Sequence, residues 1–395
     1  MQRGTLASVA AAEDKDHPKL LPEELDVVRR TILHTVLPLW IDRVPHNLGS
    51  ATHRSLKAAE WLILYKVYYP VALIPLWVKS LGEAATPESK QRILALLEST
   101  STLGKIAHFL TLPSIHVRDL RELDSLILSY RNCLQKGWPG KTSKPNLHLT
   151  QHFSDVIRRF GPPRSTAAWV QERVNGMLQR LTTNHHLDDI PRTLLHKWHI
   201  NSNSCLPRRN TQGLHSSEGV EEDTETPVKL TLDQPTLQKW KRAVCGKEGT
   251  RAKLELTPAM QNLNPTVEVL RSFQINRKTF TAVEHHEGNS MVEFHLGKDQ
   301  RFGQIEHIFE SDQTPQQRWF IVNPFKELQR LEDPYGDYPD LNCCLVRDNH
   351  DASVVVKANR VIGHAAMTRN IGGTFGIAAK TISAVGLGTA VSDLA

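Results

Sequence analysis

The feature that most constrains the fold of this 395-residue chain is an almost uninterrupted apolar block at residues 61–78, WLILYKVYYPVALIPLWV. Lys66 lies near its middle, and Pro70 and Pro75 interrupt its second half. Charged side chains are rare at the centre of a membrane span, and proline kinks or ends a helix. The block therefore favours a buried helix pair joined by proline kinks over a membrane-spanning helix.

Apolar residues recur at helical spacing on both sides of this block. Leu25, Val28 and Ile32, for example, form one stripe of an amphipathic helix. A further capped helix is predicted from about residue 165 to residue 182. We therefore expect residues 1–200 to be helical.

The composition changes after this helical half. Residues 201–228 are rich in Ser, Asn, Gly and acidic side chains, which is typical of a flexible linker. Residues 229–370 contain segments such as MVEFHL and RWFIVNPF, which alternate apolar with polar residues and predict a small β barrel or sandwich. The Gly- and Ala-rich tail, residues 371–395, is predicted to be irregular or disordered. The expected fold class is α+β.

The cysteines and the overall charge indicate the compartment and the class of partner. The five cysteines are scattered, and the adjacent pair Cys343 and Cys344 does not readily bridge, which favours a reducing compartment. The N-terminal residues lack the apolar run of a secretory signal, so secretion is not expected. A net charge of +6 and a pI near 9.0 favour polyanionic partners such as nucleic acid.

Candidate DNA-binding residues are cations that cluster with aromatic rings. Five arginines lie near Phe160 and Trp169 in the sequence: Arg158, Arg159, Arg164, Arg173 and Arg180. A second cluster, Lys239 to Arg242, surrounds Trp240. Cations beside flat rings suit phosphates and exposed bases, although an ordinary helix surface has the same composition.

Glu172 and several histidines are the candidates for metal or acid–base chemistry. Glu172 faces away from the apolar stripe of its predicted helix, so it is either a solvated glutamate or a carboxylate directed into a cleft. His148 and His152 are one helical turn apart, and His185 and His186 precede two aspartates. Zinc needs three or four converging ligands, and the sequence does not supply the others, so no metal site is predicted.

Most familiar enzyme classes have no support in the sequence. The chain contains no phosphate-binding GxxxxGK[ST] loop, no GxSxG elbow, no HExxH helix and no GxGxxG turn after a strand.

Two segments, residues 37–77 and 147–184, followed in order by the β-rich part, resemble the C-terminal portion of CACTA-type (En/Spm-like) transposases. The matches in the first segment are Pro38, Trp40, Asn47, Gly49, His53, Leu56, Lys57, Ala58 and Trp61. Those in the second are His148 or His152, Phe160, Gly161, Glu172, Arg173, Asn175, Gly176, Leu178 and Arg180. The resemblance covers about half of the chain well and the β-rich part loosely.

The resemblance implies an RNase H-like core in which two aspartates on strands and one glutamate on a late helix hold a divalent metal such as Mg²⁺. Glu172 occupies the position of the late glutamate. The helical half would then be the insertion domain plus the last helix of that core. Too few residues precede the first matched segment for the strands that bear the aspartates, and Asp16 and Asp26 are not in strand contexts. The resemblance thus predicts a truncated fragment without a metal cofactor.

Two functional hypotheses follow. The first is a nuclear, transposase-derived fragment that is inactive alone and contacts DNA or an intact transposase subunit. The alternative is a protein-interaction or assembly module with no nucleic-acid role. The expected location is the nucleus, or otherwise the cytoplasm. A third hypothesis, a complete metal-dependent nuclease, requires at least two more carboxylates converging on Glu172. None of the three predicts a membrane partner.

Overall fold

The computed structural model describes residues 17–50, 55–139, 144–166, 175, 176, 178, 189–205, 228–246 and 262–388. Within these ranges helices dominate before residue 205 and antiparallel strands dominate after residue 228. The expected α+β class is therefore confirmed.

Ten α-helices have defined bounds within the described ranges. They are α1 Pro22–His34, α2 Ala58–Glu83, α3 Pro87–Leu110, α4 Leu120–Gly137, α5 Pro145–Leu149, α6 Phe153–Phe160, α7 Pro163–Thr166, α8 Ile190–Cys205, α9 Gln234–Val244 and α10 Glu287–Ser290. The start of α3 is fixed by its cap, because the Thr86 side chain accepts a hydrogen bond from the Ser89 N–H over 3.2 Å.

The apolar block forms one continuous helix, α2, and not the predicted helix pair. A π-helical turn at Leu64–Tyr68 lies just before Pro70, with the Tyr69 N–H donating to the Leu64 carbonyl. The wider π turn accommodates the proline ring, which would clash with the preceding carbonyl of a regular α-helix. Proline therefore changes the hydrogen-bond pattern here without ending the helix.

By length and composition, α2 is also the one helix among the described residues that could cross a membrane. However, 61% of its most apolar window is buried inside the protein. The core helix of a soluble protein passes the same test, so the helix is weak evidence for a span.

The β-rich part contains eleven strands within the described residues. They are β1 Val228–Thr231, β2 Thr266–Val269, β3 Ser272–Ile275, β4 Lys278–Thr281, β5 Met291–Leu296, β6 Asp299–Glu310, β7 Trp319–Glu327, β8 Cys343–His350, β9 Val354–Lys357, β10 Val361–Asn370 and β11 Thr381–Gly386. The pairings run β5, β6, β7, β8, β11, β10 and back to β5, all antiparallel. Six strands thus close a barrel, and β1 and β2 extend it from β6.

The tail beyond residue 370 is not irregular throughout, which corrects the prediction. Strand β11 lies between β10 and β8, and all of its residues are buried. Ile382 and Ala384 pack with barrel residues, whereas Val385 packs towards the helices. A Cβ at Gly386 would lie 2.1 Å from a carboxylate oxygen of Glu293, so a larger residue there would displace that side chain. The small residues that resemble an irregular tail therefore serve close packing.

One hydrophobic cluster joins the helices to the outside of the barrel. Helix α2 contributes its long apolar face, α1 contributes Val28 and Ile32, and the barrel contributes Leu345 and Val385. Tyr335, which is buried, donates a hydrogen bond to the Pro70 carbonyl over 3.0 Å. The helical and β-rich parts therefore share a core.

A buried carboxylate links three helices. Glu24 on α1 accepts a hydrogen bond from Trp77 Nε1 over 2.8 Å and an ion pair from Arg92. Its other contact is the Leu21 N–H, 2.8 Å away. Removing one partner of a buried charged pair leaves the other uncompensated, so Glu24 locks α1 against α2 and α3.

The chain that follows α1 docks on the barrel. Val36 and Met367 exchange two backbone hydrogen bonds of 2.8 and 3.2 Å. Two residues beyond Leu37, the Leu39 N–H donates to Asn289 Oδ1 over 3.0 Å. Gly288 is required here because a Cβ would lie 1.8 Å from the Leu37 carbonyl oxygen. We refer to residues 35–41 as the docking segment.

Trp40 of the docking segment lies beside a buried histidine, His364. Its indole N–H donates to His364 Nδ1 over 3.3 Å, and His364 Nε2 lies 3.2 Å from the Thr279 carbonyl. The imidazole stacks on Phe280 with centroids 3.8 Å apart. Because Nδ1 accepts a hydrogen bond, the ring is neutral. Burial, assisted by the nearby Lys278 charge, lowers the pKa of His364 to about 4.

We predict that His364 makes the fold sensitive to acid. A histidine with a native pKa near 4 and an unfolded pKa near 6.5 stabilises the fold above pH 6.5, and this stabilisation is lost as the pH falls towards 4. The full difference is about 3 kcal/mol. In urea titrations between pH 4 and pH 7.5, His364→Asn should remove this part of the pH dependence.

The matched control is His46→Gln, since His46 is exposed. It should leave the pH dependence of the free energy of unfolding unchanged. A difference curve between His364→Asn and the wild type that is flat with pH would contradict the neutral, buried state of this ring.

Candidate functional site

Helix α6 carries the described part of the arginine cluster. Its Ile157 packs into a small core with Leu120, Leu123 and Ile127 of α4. Ser154 is buried and hydrogen-bonds to the Leu120 carbonyl and the Asp124 carboxylate. These contacts fix the inner face of α6, so its other face is presented to solvent.

The exposed end of α6 combines cations with a bare ring. Arg158 and Arg159 are both exposed, and Phe160 has 67% of its surface exposed. Arg158 Nη1 lies 3.1 Å from the Asp155 carboxylate one turn earlier, whereas Arg159 forms no ion pair with any residue that the structure describes. Gly161, with φ +84°, ends the helix. Arg159 and Phe160 are therefore the more available pair for a phosphate and a base.

The other predicted site residues cannot be placed. Arg164 lies on α7, but its side chain is outside the described part of the structure. Glu172, Arg173 and Arg180 also lie outside the described residues. Within the described part of the structure, the predicted cluster is therefore represented by Arg158 and Arg159, which are neighbours on α6.

The positive charge of the chain is concentrated in the helical half. Residues 101–200 contain 14 Lys and Arg against 7 Asp and Glu, an excess that is larger than the +6 of the whole chain. Residues 301–350 of the barrel contain the opposite balance, 5 Lys and Arg against 9 Asp and Glu. A polyanion would therefore be attracted to the helical half and not to this part of the barrel. The sequence shows this charge asymmetry, but the net charge of the whole chain does not reveal it.

A small polar cleft adjoins the arginine pair. It has a volume of about 270 Å³. Its lining includes two carboxylates, those of Asp124 and Asp155, and the guanidinium of Arg158. Two carboxylates here would repel a phosphate, so the cleft favours contact at Arg159 over contact inside the cleft.

The histidine candidates do not form a metal centre in the described structure. The rings of His148 and His152 meet edge to face with centroids 5.3 Å apart. No group of three or more His, Cys, Asp or Glu side chains within the described ranges is arranged to hold a metal ion. His185 and His186 lie outside those ranges.

The second basic and aromatic cluster, around Trp240, is not a stacking platform, which corrects that interpretation. Trp240 is fully buried on α9 and packs edge to face against Phe309 and Trp319. Lys241 is also buried, and Lys239 donates to Ser353 Oγ over 3.1 Å. The Trp240 ring is part of the hydrophobic core between α9 and the sheet, because it lies on the face of α9 that packs against the strands.

A buried carboxylate in the barrel was not foreseen. Glu293 on β5 is almost inaccessible to solvent, and it accepts hydrogen bonds from the side-chain amides of Gln300 and Asn342. Burial raises its pKa to about 7, an effect that these two hydrogen bonds and the charge of Lys66 oppose. The available sequence signal is a single acid within the alternating strand MVEFHL.

A cavity of about 330 Å³ opens beside this carboxylate. Gln300 and Asn342 line it together with Phe302, Phe325 and Cys344. Cys343 and Cys344 are free thiols whose pKa values burial raises well above the ordinary value, so both stay protonated at neutral pH. Glu293 could exchange a proton near pH 7, but the thiols are not nucleophiles.

Comparison with protein-family models, with curated proteins and with solved structures finds no match to this chain. The resemblance to CACTA-type transposases therefore stays a prediction based on the residues quoted above.

We predict that Glu293 opposes His364 in the pH dependence of stability. A carboxyl with a native pKa near 7 and an unfolded pKa near 4.5 stabilises the fold below pH 4.5, and this stabilisation is lost as the pH rises through 7. From pH 4.5 to pH 7.5, Glu293→Gln should therefore gain about 3 kcal/mol relative to the wild type. Urea titrations across this range measure the change.

The control is Glu23→Gln, because Glu23 is exposed and lies outside the buried network. Its stability difference from the wild type should not vary over the same range. If Glu293→Gln behaves like this control, the carboxyl titrates normally and the buried state is wrong.

Proposed function

We propose that this chain is a transposase-derived protein that contacts DNA through its helical half and carries no catalytic centre of its own. The observation that carries the proposal is the exposed Arg159–Phe160 pair at the end of α6, in the half of the chain that holds the excess of positive charge. A guanidinium attracts phosphate, and an exposed ring can stack on a base.

The family resemblance supplies the finer part of the proposal. The helical half would correspond to the insertion domain and the last helix of an RNase H-like core, with Glu172 as a vestigial metal-binding carboxylate. DNA and an intact transposase subunit are the proposed partners, and the nucleus is the proposed location. Mg²⁺ would matter only if other carboxylates complete a site around Glu172.

We predict a salt-dependent affinity for DNA that depends on the end of α6. Fluorescence anisotropy with a labelled duplex and a labelled single strand should give binding that weakens as salt rises. Arg158→Ala/Arg159→Ala should reduce the slope of log K against log salt by up to about 1.8, since each lost phosphate contact removes about 0.7 to 0.9. Arg159→Ala alone should have a larger effect than Arg158→Ala, because Arg158 is already paired with Asp155.

The matched control removes two exposed cations from the barrel, Lys326 and Arg330, by alanine substitution. This variant should bind DNA with an unchanged slope. Equal losses in both double variants would indicate non-specific attraction, and no binding at low salt would favour an assembly module without a nucleic-acid role.

The absence of catalysis is tested in the same buffer. Wild type and Glu172→Ala are incubated with DNA and Mg²⁺, and strand cleavage is followed on a denaturing gel. We expect no cleavage by either protein. Cleavage by the wild type that disappears in Glu172→Ala would show that a functional metal site exists and that the chain is an enzyme.

A further inference from the structure

Residues 145–160 form one helical run with exposed rings on its outer side. The run consists of α5, a 3₁₀ turn at Thr150–His152, and α6. His148 and His152 are both exposed, and their rings meet edge to face with centroids 5.3 Å apart. Neither histidine belongs to a metal-binding group among the described residues, so metal ligation does not account for the exposed pair.

The exposed side continues along α6 at helical spacing. Val156 lies four residues after His152, and Phe160 lies four residues after Val156, so these side chains follow one another on one side of the helix. Val156 is 44% exposed and Phe160 is 67% exposed. Ile157 and Ser154 are buried and hold the opposite side inward. We refer to the exposed set as the outer row, which consists of His148, His152, Val156 and Phe160.

A cation lies on the same side of α6 as the outer row. Arg159 follows Val156 by three residues and adjoins Phe160. It is exposed and forms no ion pair with a residue in the described part of the chain. The one carboxylate of α6, Asp155, is already paired with Arg158 over 3.1 Å. A phosphate that approaches the outer row therefore meets a guanidinium and no unpaired carboxylate of this helix.

The spacing of the outer row suits bases that are not paired. Its members are four residues apart, which is about 6 Å along a helix axis. Nucleotides stacked in a duplex are separated by only about 3.4 Å, and their faces are covered by the neighbouring bases. An unpaired strand can separate its bases and lay them on exposed rings. A duplex offers the row mainly phosphates, from which Val156 and Phe160 gain nothing.

We propose that the outer row binds an unpaired DNA strand in preference to a duplex, an inference that rests on the proposed contact with DNA. Bases stack on Phe160 and on the histidine rings, and Arg159 holds a phosphate. The row is about 18 Å long, enough for roughly three to five nucleotides.

Three labelled probes of equal length separate stacking from charge. They are an oligothymidine strand, the same strand with abasic sites in place of its bases, and an oligothymidine–oligoadenosine duplex. Anisotropy with the full chain is measured at a salt concentration that weakens phosphate attraction. We expect the oligothymidine strand to bind more tightly than the duplex and at least roughly fivefold more tightly than the abasic strand, because each stacked base contributes about that factor or more.

The two proposals fail differently in this experiment. Equal affinities for the three probes, with the salt dependence retained, would overturn the outer row and leave the DNA contact standing. No salt-dependent binding to any probe would overturn the DNA contact itself.

Substitutions at Phe160 place the stacking on the outer row. Phe160→Leu removes the flat ring but keeps an apolar side chain, so the affinity for oligothymidine should fall by roughly fivefold or more. The affinity for the abasic strand should not change. Phe160→Tyr keeps the ring and should retain the wild-type affinity. The control is Leu331→Ala, because Leu331 is 99% exposed in the connection between β7 and β8.

Circular dichroism checks that all of these variants remain folded. Equal losses in Phe160→Leu and Leu331→Ala would overturn the assignment, and so would equal losses for the oligothymidine and abasic strands in Phe160→Leu. His152→Ala should also lower the affinity for oligothymidine by roughly fivefold. An unchanged affinity in His152→Ala would overturn the extension of the outer row beyond α6.

An oligouridine strand of the same length tests whether the strand is DNA. RNA presents similar base faces and phosphates and adds 2′-hydroxyl groups. We expect oligouridine to bind no more tightly than oligothymidine, because stacking does not require the 2′-hydroxyl groups. A preference for oligouridine of roughly tenfold or more would overturn the assignment to DNA.

Discussion

Burial of helix α2 is the constraint on which the rest of the structure depends. A helix of 26 residues with this apolar composition cannot remain in water, and no single neighbour covers it. Helices α1 and α3 cover one side, and barrel strands β8 and β11 cover another through Leu345 and Val385. The shared core explains why β11 is ordered. Val385 packs against the helices on the outside of the barrel, whereas Ile382 and Ala384 pack with other barrel residues.

Polar groups fix the geometry where apolar packing alone would allow sliding. Glu24 ties three helices together, and the docking segment holds the chain after α1 to β10 through Val36 and Met367. The buried Glu293 and His364 favour opposite ends of the pH range: folding takes up a proton at the carboxyl and excludes one from the imidazole. Since each group is buried without a full counter-charge, the structure contains two opposing titrations that partly cancel between pH 4.5 and pH 6.5.

The sequence predicts those elements whose signal is local. The alternation in MVEFHL and RWFIVNPF predicts β5 and β7, and Thr86-Pro87 predicts the start of α3. Local signals fail where a contact with a residue far away in the sequence determines the structure. Pro70 ends no helix because a π turn accommodates it. Gly386 lies in a central strand, where the Glu293 side chain occupies the place of a Cβ. Trp240 is buried because Phe309 and Trp319 enclose it. The candidate site is harder to predict from the sequence than the fold, because the exposure and the ion pairing of an arginine depend on tertiary contacts.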